Sequence, residues 1–234
     1  RKQDAIQEKI RARTQMWTPE QMGEVALANA QAKAIAEGYK GKRFVLDEHN
    51  KAVFDLLCLY FTNDKRFEEH EYAGSKYSLE KGIWLQSPTR GSGKSALLRA
   101  FYINKRSCFG VKHTTELAVM FQKGGFDAID RFIGTLPQPA SALNFYQQEA
   151  GFMYDELFGE EKVMHMGSPL SLSSYILNKL YDFSNNHRDK KWKFHCTSNA
   201  DGSDIEIIAG KTFRSRMPDM FNLIKLNGPD RRVS

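Results

Sequence analysis

The chain has 234 residues, of which 41% are hydrophobic and 12% are aromatic. This length suits one α/β domain with a small appendage, and this composition supports a packed core and excludes a disordered chain. The net charge is +6, and residues 211–234 contribute six basic side chains against two acidic ones. Clusters of this kind are typical of surfaces that meet phosphates, although charge alone favours an ordinary solvated basic face.

Membrane and secretory classes are not favoured by the pattern of apolar residues. The longest apolar stretch, from Ala52 to Phe61, is too short to cross a bilayer, and no secretory signal is visible. The three cysteines are far apart and match no metal spacing, which indicates reduced thiols. We therefore expect a cytoplasmic protein. Because the chain begins at Arg1 instead of Met, we also expect that its natural N-terminus is missing.

Two helices are predicted before residue 63. Residues 18–38 open with a Thr-x-x-Gln capping box and continue through an alanine-rich body to a glycine. A second helix, capped by Asp47, carries an apolar stripe at helical spacing. Residues 63–80 are polar and are predicted to form a loop.

From residue 82 onward, predicted strands alternate with predicted helices. The strands are predicted at 82–86, 109–113, 152–154, 192–196 and 223–226. The helices are predicted at 95–105, 115–122 with a continuation at 128–133, 171–185, 204–209 and 212–220. Residues 134–145 are predicted to form a loop. The alternation favours a three-layer α/β fold, in which helices cover both faces of a parallel five-stranded sheet.

A glycine-rich segment joins the first of these strands to the helix that follows it. The run Pro88-Thr-Arg-Gly-Ser-Gly-Lys-Ser95 fits the pattern G-x-x-x-x-G-K-[ST], except that Pro88 replaces the first glycine. The glycines let backbone N–H groups face a phosphate, and the start of the helix adds the positive end of its dipole. Lys94 would contact the β- and γ-phosphates, and Ser95 would ligate Mg²⁺. The residues that we expect to bind nucleotide are Pro88, Thr89, Arg90, Gly91, Ser92, Gly93, Lys94 and Ser95.

Two acidic residues follow the third predicted strand. Asp155, which we expect to hold the metal, comes 61 residues after Lys94, and Glu156, which we expect to activate water, follows it directly. Two acids after an apolar triplet are common at strand ends, but this order of strand and helix favours a partner for the phosphate-binding segment. Asn199 ends the next strand and is the best candidate to sense the γ-phosphate, with Thr197 second. A plain turn residue at Asn199 is an equally good interpretation of its position.

Four arginines in the last part of the chain are candidates to read phosphate charge. Arg214 and Arg216 lie on a predicted helix that could face a neighbouring subunit, whereas Arg231 and Arg232 follow the last strand and could bend over the nucleotide of their own chain. A guanidinium placed at the γ-phosphate stabilises the transition state of phosphoryl transfer. For each arginine taken alone, a surface salt bridge is the alternative.

Together, these residues resemble the AAA+ ATPases of the clade that contains DnaC-type helicase loaders and IstB transposition helpers. The resemblance spans residues 44–232. Its more specific parts are Tyr154-Asp-Glu-Leu-Phe-Gly-Glu-Glu161, His165-Met-Gly167, Thr197-Ser-Asn199, Phe213-Arg-Ser-Arg-Met-Pro-Asp-Met-Phe-Asn222 and Leu226-Asn-Gly-Pro-Asp-Arg-Arg232.

The resemblance implies a P-loop NTPase fold of the AAA+ ASCE type, with an N-terminal helical extension at 1–43, an ATPase domain at 44–234 and a very short or absent lid. It implies ATP and Mg²⁺ as cofactors, with Arg214 or Arg216 acting in trans and Arg231 as a second sensor. It also implies a homo-oligomer that binds single-stranded DNA and a replicative helicase. The expected function is therefore that of an ATP-dependent helicase loader.

A basic and aromatic segment between Gly124 and Phe145 is a candidate for contacts with single-stranded DNA. Its candidate residues are Lys123, Phe126, Arg131 and Phe132. A helix that packs its phenylalanines inward is the competing interpretation, and the better one for at least one of the rings.

Three other functions fit parts of the sequence. An IstB-like transposition helper would share the fold, and a scaffold gated by ATP would share the site but turn over little. A small-molecule P-loop kinase belongs to another class. The Asp155-Glu156 pair, Asn199 and the late basic cluster speak against a kinase, which usually carries an arginine-bearing lid.

Overall fold

The computed structural model describes residues 15–36, 44–106, 108–135, 150–159, 163–165, 168–186 and 194–232. Its α-helices are α1 (Pro19–Ala36), α2 (Lys51–Phe61), α3 (Lys94–Arg99), α4 (Thr114–Thr135), α5 (Leu172–Asn186) and α6 (Gly202–Met220). Its strands are β1 (Glu71–Tyr72), β2 (Ser75–Lys76), β3 (Gly82–Gln86), β4 (Cys108–His113), β5 (Ala150–Asp155), β6 (Val163–His165), β7 (Ser168–Leu170), β8 (Phe194–Ser198) and β9 (Phe221–Lys225). None of these helices is both long enough and apolar enough to cross a bilayer.

A parallel sheet of five strands, in the order β4-β5-β8-β3-β9, forms the centre of the fold. Strand β8 lies between β3, which leads into the glycine-rich segment, and β5, which ends at Asp155. This inserted strand is the arrangement that an ASCE-type P-loop NTPase requires. The predicted fold class, a P-loop NTPase fold with a parallel five-stranded sheet, is therefore confirmed.

The apolar side chains form two clusters, one on each face of the sheet. Ile83 and Leu85 of β3 belong to the cluster under α1, α2 and α3, whereas Trp84 between them belongs to the cluster under α4, α5 and α6. Alternate residues of a strand point to opposite faces, and all five residues of β3 are buried. Helices therefore cover both faces of the sheet, as the alternation of strands and helices predicts.

The N-terminal helices begin with different caps. In α1 the predicted capping box is present, since the backbone N–H of Gln21 donates to the Thr18 hydroxyl at 3.3 Å and that of Thr18 donates to the Gln21 side chain at 3.0 Å. The next helix begins at Lys51, later than a cap at Asp47 predicts. The Asp47 carboxylate instead accepts the N–H groups of His49 and Asn50, which closes a separate turn before the helix.

Other departures from the sequence prediction are short elements. The segment predicted as a loop at 63–80 contains a 3₁₀ helix at Lys65–Glu69 and the hairpin β1–β2, and a second hairpin, β6–β7, was not predicted. Strands of two or three residues are too short to show an alternating pattern. Helix α3 ends at Arg99 and not at Lys105. The predicted breaks in α4 and α6 are present at Gly125 and Gly210, which have positive φ angles.

Gly82, the first residue of β3, lies where the sheet leaves no room for a side chain. A Cβ atom placed there would lie 1.9 Å from the carbonyl oxygen of Phe194 in β8. Gly110 in β4 offers a matched comparison, because a Cβ atom there would meet nothing within 4 Å.

We predict that Gly82→Ala lowers the free energy of unfolding by about 1–3 kcal/mol, because the backbone of β3 must move away from β8. Gly110→Ala should change it by less than about 1 kcal/mol, in either direction. Urea denaturation of both variants and the parent protein measures the difference. Equal stability of the two variants would contradict the close approach of β3 and β8.

Candidate nucleotide-binding site

The carboxyl ends of β3, β5 and β8 meet at one edge of the sheet, and the glycine-rich segment (the phosphate-binding loop, residues 88–95) begins there. The loop joins β3 to α3, as predicted. Just before it, the backbone N–H of Ser87 donates to the carbonyl oxygen of Ser198 in β8 at 3.1 Å. The loop is therefore anchored to the strand that leads to Asn199.

The backbone of the phosphate-binding loop has the shape that its glycines allow. Gly91 and Gly93 have φ angles of 76° and 92°, which are in the left-handed region, and Gly93 is the residue that precedes α3. Ser92 between them is buried, whereas Pro88 and Arg90 are exposed and Thr89 is half-buried. The atypical Pro88 thus lies at the outer end of the loop, away from the start of the helix.

Lys94 is turned into the protein and meets Asn199. Its side chain is buried, and its ammonium group donates to the Asn199 side-chain oxygen at 2.5 Å. Burial disfavours the charged form and lowers the pKa of Lys94, while the carboxylates of Glu156 and Asp155 act in the opposite direction. The structure therefore brings together the lysine, the asparagine and the two acids that were predicted from separate strand ends.

Both carboxylate oxygens of Asp155 have a partner. The residue is 2% exposed, and its Oδ1 atom accepts the Thr197 hydroxyl at 2.6 Å. Its Oδ2 atom is paired with the guanidinium of Arg99. Arg99, which lies four residues after Ser95 on α3, was not among the predicted site residues.

Ser95 and Asp155 suit a magnesium ion by the chemistry of their donors. Mg²⁺ prefers oxygen ligands, and it is commonly bound by one or two protein oxygens together with phosphate oxygens and water. Ser95 is half-buried in the first turn of α3, and the ion pair of Arg99 with Asp155 draws that helix to the end of β5. These two residues are therefore the ones that would hold the metal.

Glu156 has an unusual backbone conformation, which three neighbours hold in place. Its φ angle is 60°, a region that non-glycine residues rarely occupy. Its N–H donates to the Thr197 hydroxyl at 3.0 Å, and its carbonyl oxygen accepts the Thr114 hydroxyl at 2.7 Å. Its carboxylate lies 3.0 Å from Nε2 of His113. The side chain of Glu156 is thereby directed toward the end of β4.

His113 is the second site residue that the sequence analysis missed. Its Nδ1 atom accepts the backbone N–H of Thr115 at 3.2 Å, so the proton is on Nε2 and is donated to Glu156. His113 ends β4 in register with Asp155 on β5. The predicted strand at 109–113 ends at this histidine, so a search of strand ends for polar residues would have found it.

Arg231, which follows the last strand of the sheet, contacts the phosphate-binding loop. Its backbone N–H donates to the carbonyl oxygen of Gly91 at 3.0 Å, and its guanidinium donates to that of Ser92 at 3.1 Å. The guanidinium also pairs with Asp47 at 2.7 Å. Partial burial acts to raise the pKa of Asp47, but hydrogen bonds from Arg231 and from the His49 N–H outweigh it, so this pKa is lowered.

Arg214 and Arg216 lie on α6 and contact groups of their own chain. Arg214 pairs with Glu206 on the same helix. Arg216 donates to the Asn178 side chain at 2.8 Å, and its guanidinium carbon lies 4.6 Å from the centre of the Tyr181 ring. Neither contact involves the phosphate-binding loop. Since a role in trans concerns a neighbouring subunit, it stays a prediction.

The segment proposed for DNA contacts uses its aromatic rings for packing. Phe126 lies 4.5 Å from the ring of Tyr175, and Phe132 lies 5.2 Å from that of Phe152. Both phenylalanines are half-buried and pack against the core, as the competing interpretation predicts. Lys123 and Arg131 are exposed. The rest of this segment, including Phe145, lies outside the described residues.

The Thr197 hydroxyl forms hydrogen bonds with both acids, since it donates to the Asp155 carboxylate and accepts the backbone N–H of Glu156. Its removal therefore tests how these bonds stabilise the site. We predict that Thr197→Val, which keeps the shape but removes the hydroxyl, lowers the free energy of unfolding by about 1.5–3 kcal/mol, because a buried carboxylate loses a hydrogen bond. Thr197→Ser keeps the hydroxyl and should lose less. Urea denaturation measures both, and a valine variant as stable as the serine variant would contradict this role.

No model of a protein family matches this chain, and no curated protein matches it. Among solved structures, the crystal structure of DnaI matches with a TM-score of 0.47 and 18% identity, over 82% of this chain and 89% of that one. A DNA replication initiation factor matches with a TM-score of 0.47 and 12% identity, over 79% of this chain and 48% of that one. Its own strand order and phosphate-binding loop give this chain a P-loop NTPase fold, and its sequence motifs resemble those of AAA+ ATPases of the DnaC-type clade.

Proposed function

We propose that this chain is a Mg²⁺-dependent ATPase that acts in DNA replication as a helicase loader. The observation that carries the ATPase part is the meeting of Lys94, Asn199, Asp155 and Glu156 beside the phosphate-binding loop. A lysine, a metal-binding acid and a second acid are the parts that phosphoryl transfer to water requires. The loader part is supported by the resemblance of the late sequence motifs to that clade.

Each residue of the site has a distinct task in this proposal. The loop N–H groups and Lys94 bind the β- and γ-phosphates, and Asn199, which contacts Lys94 directly, orients the γ-phosphate. Mg²⁺, held by Ser95 and Asp155, would neutralise part of the phosphate charge. Glu156 accepts a proton from the attacking water. The hydrogen bond from His113 fixes the Glu156 carboxylate before substrate arrives.

An arginine of a neighbouring subunit would complete the site. Of the two candidates, Arg214 is the one that leaves its present contact at less cost. Its side chain is 53% exposed and pairs with one carboxylate, that of Glu206, and pairs near the surface contribute little. Arg216 would give up both its hydrogen bond and its stacking on Tyr181. We therefore favour Arg214 as the residue that acts in trans in a homo-oligomer.

Contacts with single-stranded DNA would depend on charge. Because both phenylalanines pack against the core, we assign the contact with a phosphate backbone, among the described residues, to Lys123, Arg131 and the basic residues from 211 onward. Binding of this kind weakens steeply as salt concentration rises. The proposal further includes a replicative helicase as partner and a cytoplasmic location.

The ATPase proposal predicts that binding and turnover can be separated. Lys94→Ala should reduce ATP affinity or abolish turnover, because the phosphates lose their cation. Glu156→Gln should bind ATP but hydrolyse it at least about 100-fold more slowly, since the amide accepts no proton. Calorimetry with a slowly hydrolysed ATP analogue and a phosphate-release assay measure the two steps. Lys76→Ala, which removes an exposed charge on β2, is the control, and unchanged turnover in both site variants would exclude Lys94 and Glu156 as residues of the ATPase site.

The assembly proposal predicts that specific activity rises with protein concentration and with single-stranded DNA. An Arg214→Ala, Arg216→Ala double variant should bind ATP yet be inactive. Mixed with Lys94→Ala subunits, it should regain part of the activity, because some interfaces then join an intact loop to intact arginines. Activity that is independent of concentration, with no gain on mixing, would indicate a self-contained site and favour the kinase alternative. Fluorescence anisotropy across salt concentrations measures the DNA contact.

A further inference from the structure

The ion pair between Arg99 and Asp155 occupies a carboxylate to which the proposed function assigns a metal ion. The Asp155 side chain is 3% exposed and that of Arg99 is 23% exposed. A charge so deeply buried needs an opposite charge nearby, because it has lost its water. In the structure, that opposite charge is supplied by a guanidinium on α3.

The place of Arg99 on its helix puts it beside the other metal ligand. Ser95 and Arg99 are four residues apart in α3 (Lys94–Arg99), and residues at this spacing lie on the same face of a helix. The Oδ1 atom of Asp155 is engaged by Thr197 at 2.6 Å, and the Oδ2 atom by Arg99. A divalent cation that reaches Asp155 from Ser95 therefore approaches a guanidinium of like charge.

We propose that Arg99 is a positioning residue that stands in for the metal ion, holding Asp155 until Mg²⁺ displaces it. This inference rests on the proposed function and deepens it. The guanidinium and the metal compete for one carboxylate oxygen. Asp155 therefore has one positive partner in either state: Arg99 when the metal is absent, and Mg²⁺ when it is bound. The exposed part of Arg99 gives its side chain a route to solvent when the metal arrives.

The competition has a consequence for metal affinity. While Arg99 occupies Asp155, only the fraction of molecules in which the pair is open can bind the metal. The apparent affinity for Mg²⁺ is reduced by that fraction. Removal of the guanidinium should therefore tighten Mg²⁺ binding, whereas a residue with a purely structural role would weaken or leave unchanged the affinity of the site it supports. The sign of the change separates the two roles.

The experiment measures Mg²⁺ affinity in the whole chain with ADP bound. Parent protein, Arg99→Gln and Arg99→Lys are saturated with ADP in a chelator-treated buffer and titrated with MgCl₂ in a calorimeter. We expect Arg99→Gln to bind Mg²⁺ about tenfold or more tightly than the parent, since a hydrogen bond between charged groups no longer competes. Arg99→Lys, which keeps the charge but not the planar fork, should lie between them.

A second readout follows the stability of the same proteins. Without metal, Arg99→Gln should melt at a lower temperature than the parent, and addition of Mg²⁺ should raise its melting temperature by more than it raises the parent's. Arg66→Gln is the matched control, because Arg66 forms a comparable pair with Asp64 at 2.7 Å on the surface. It should leave Mg²⁺ affinity unchanged.

Three results would overturn the inference or its basis, and they differ from one another. Equal or weaker Mg²⁺ affinity in Arg99→Gln would show that Arg99 has a structural role alone. If that variant does not fold, equal or weaker affinity in Arg99→Lys gives the same answer. If no ADP binds to the parent protein, the proposed function fails, and the inference fails with it.

Discussion

The burial of one negative charge, the carboxylate of Asp155, is the constraint on which the candidate site depends. A carboxylate that is 2% exposed has lost most of its hydration, and the protein must replace it with donors and positive charge. The Thr197 hydroxyl from β8 and the Arg99 guanidinium from α3 do so, and Lys94 is coupled to the same charge. The packing of β8 and α3 beside the end of β5 thus supplies the partners that the buried charge of Asp155 requires.

The parallel sheet supplies the place where that compensation is possible. Because all five strands run in one direction, polar residues that follow β3, β5 and β8 emerge at the same edge. At this edge, Glu156 adopts a backbone conformation that in general costs about 1–3 kcal/mol. Its hydrogen bonds to Thr197 and Thr114 stabilise that conformation. A strained residue fixed beside a buried charge is typical of a functional site, and this position carries the acid proposed as the base.

The phosphate-binding loop is also held by residues that follow the last strand of the sheet. Arg231 contacts two carbonyl oxygens of the loop and pairs with Asp47, which closes the turn before α2. Asp230 lies so close to Gly91 that a Cβ atom there would fall 1.8 Å from its carboxylate oxygen. The loop is therefore held by residues that follow β9, which in turn contact the turn before α2, and a nucleotide that binds there meets residues from three distant parts of the sequence.

The sequence by itself determined the alternation of strands and helices, the phosphate-binding loop, and the positions of Lys94, Asp155, Glu156 and Asn199 at strand and helix ends, because these depend on local patterns of apolar and polar residues. It missed the hairpins, whose strands are too short for a pattern to show. It also missed Arg99 and His113, because each acquires its partner across the sheet, 56 and 43 residues away. Only the tertiary structure decided that Phe126 and Phe132 pack against the core and that Arg231 meets Asp47. Contacts between distant residues follow from the packing of whole elements.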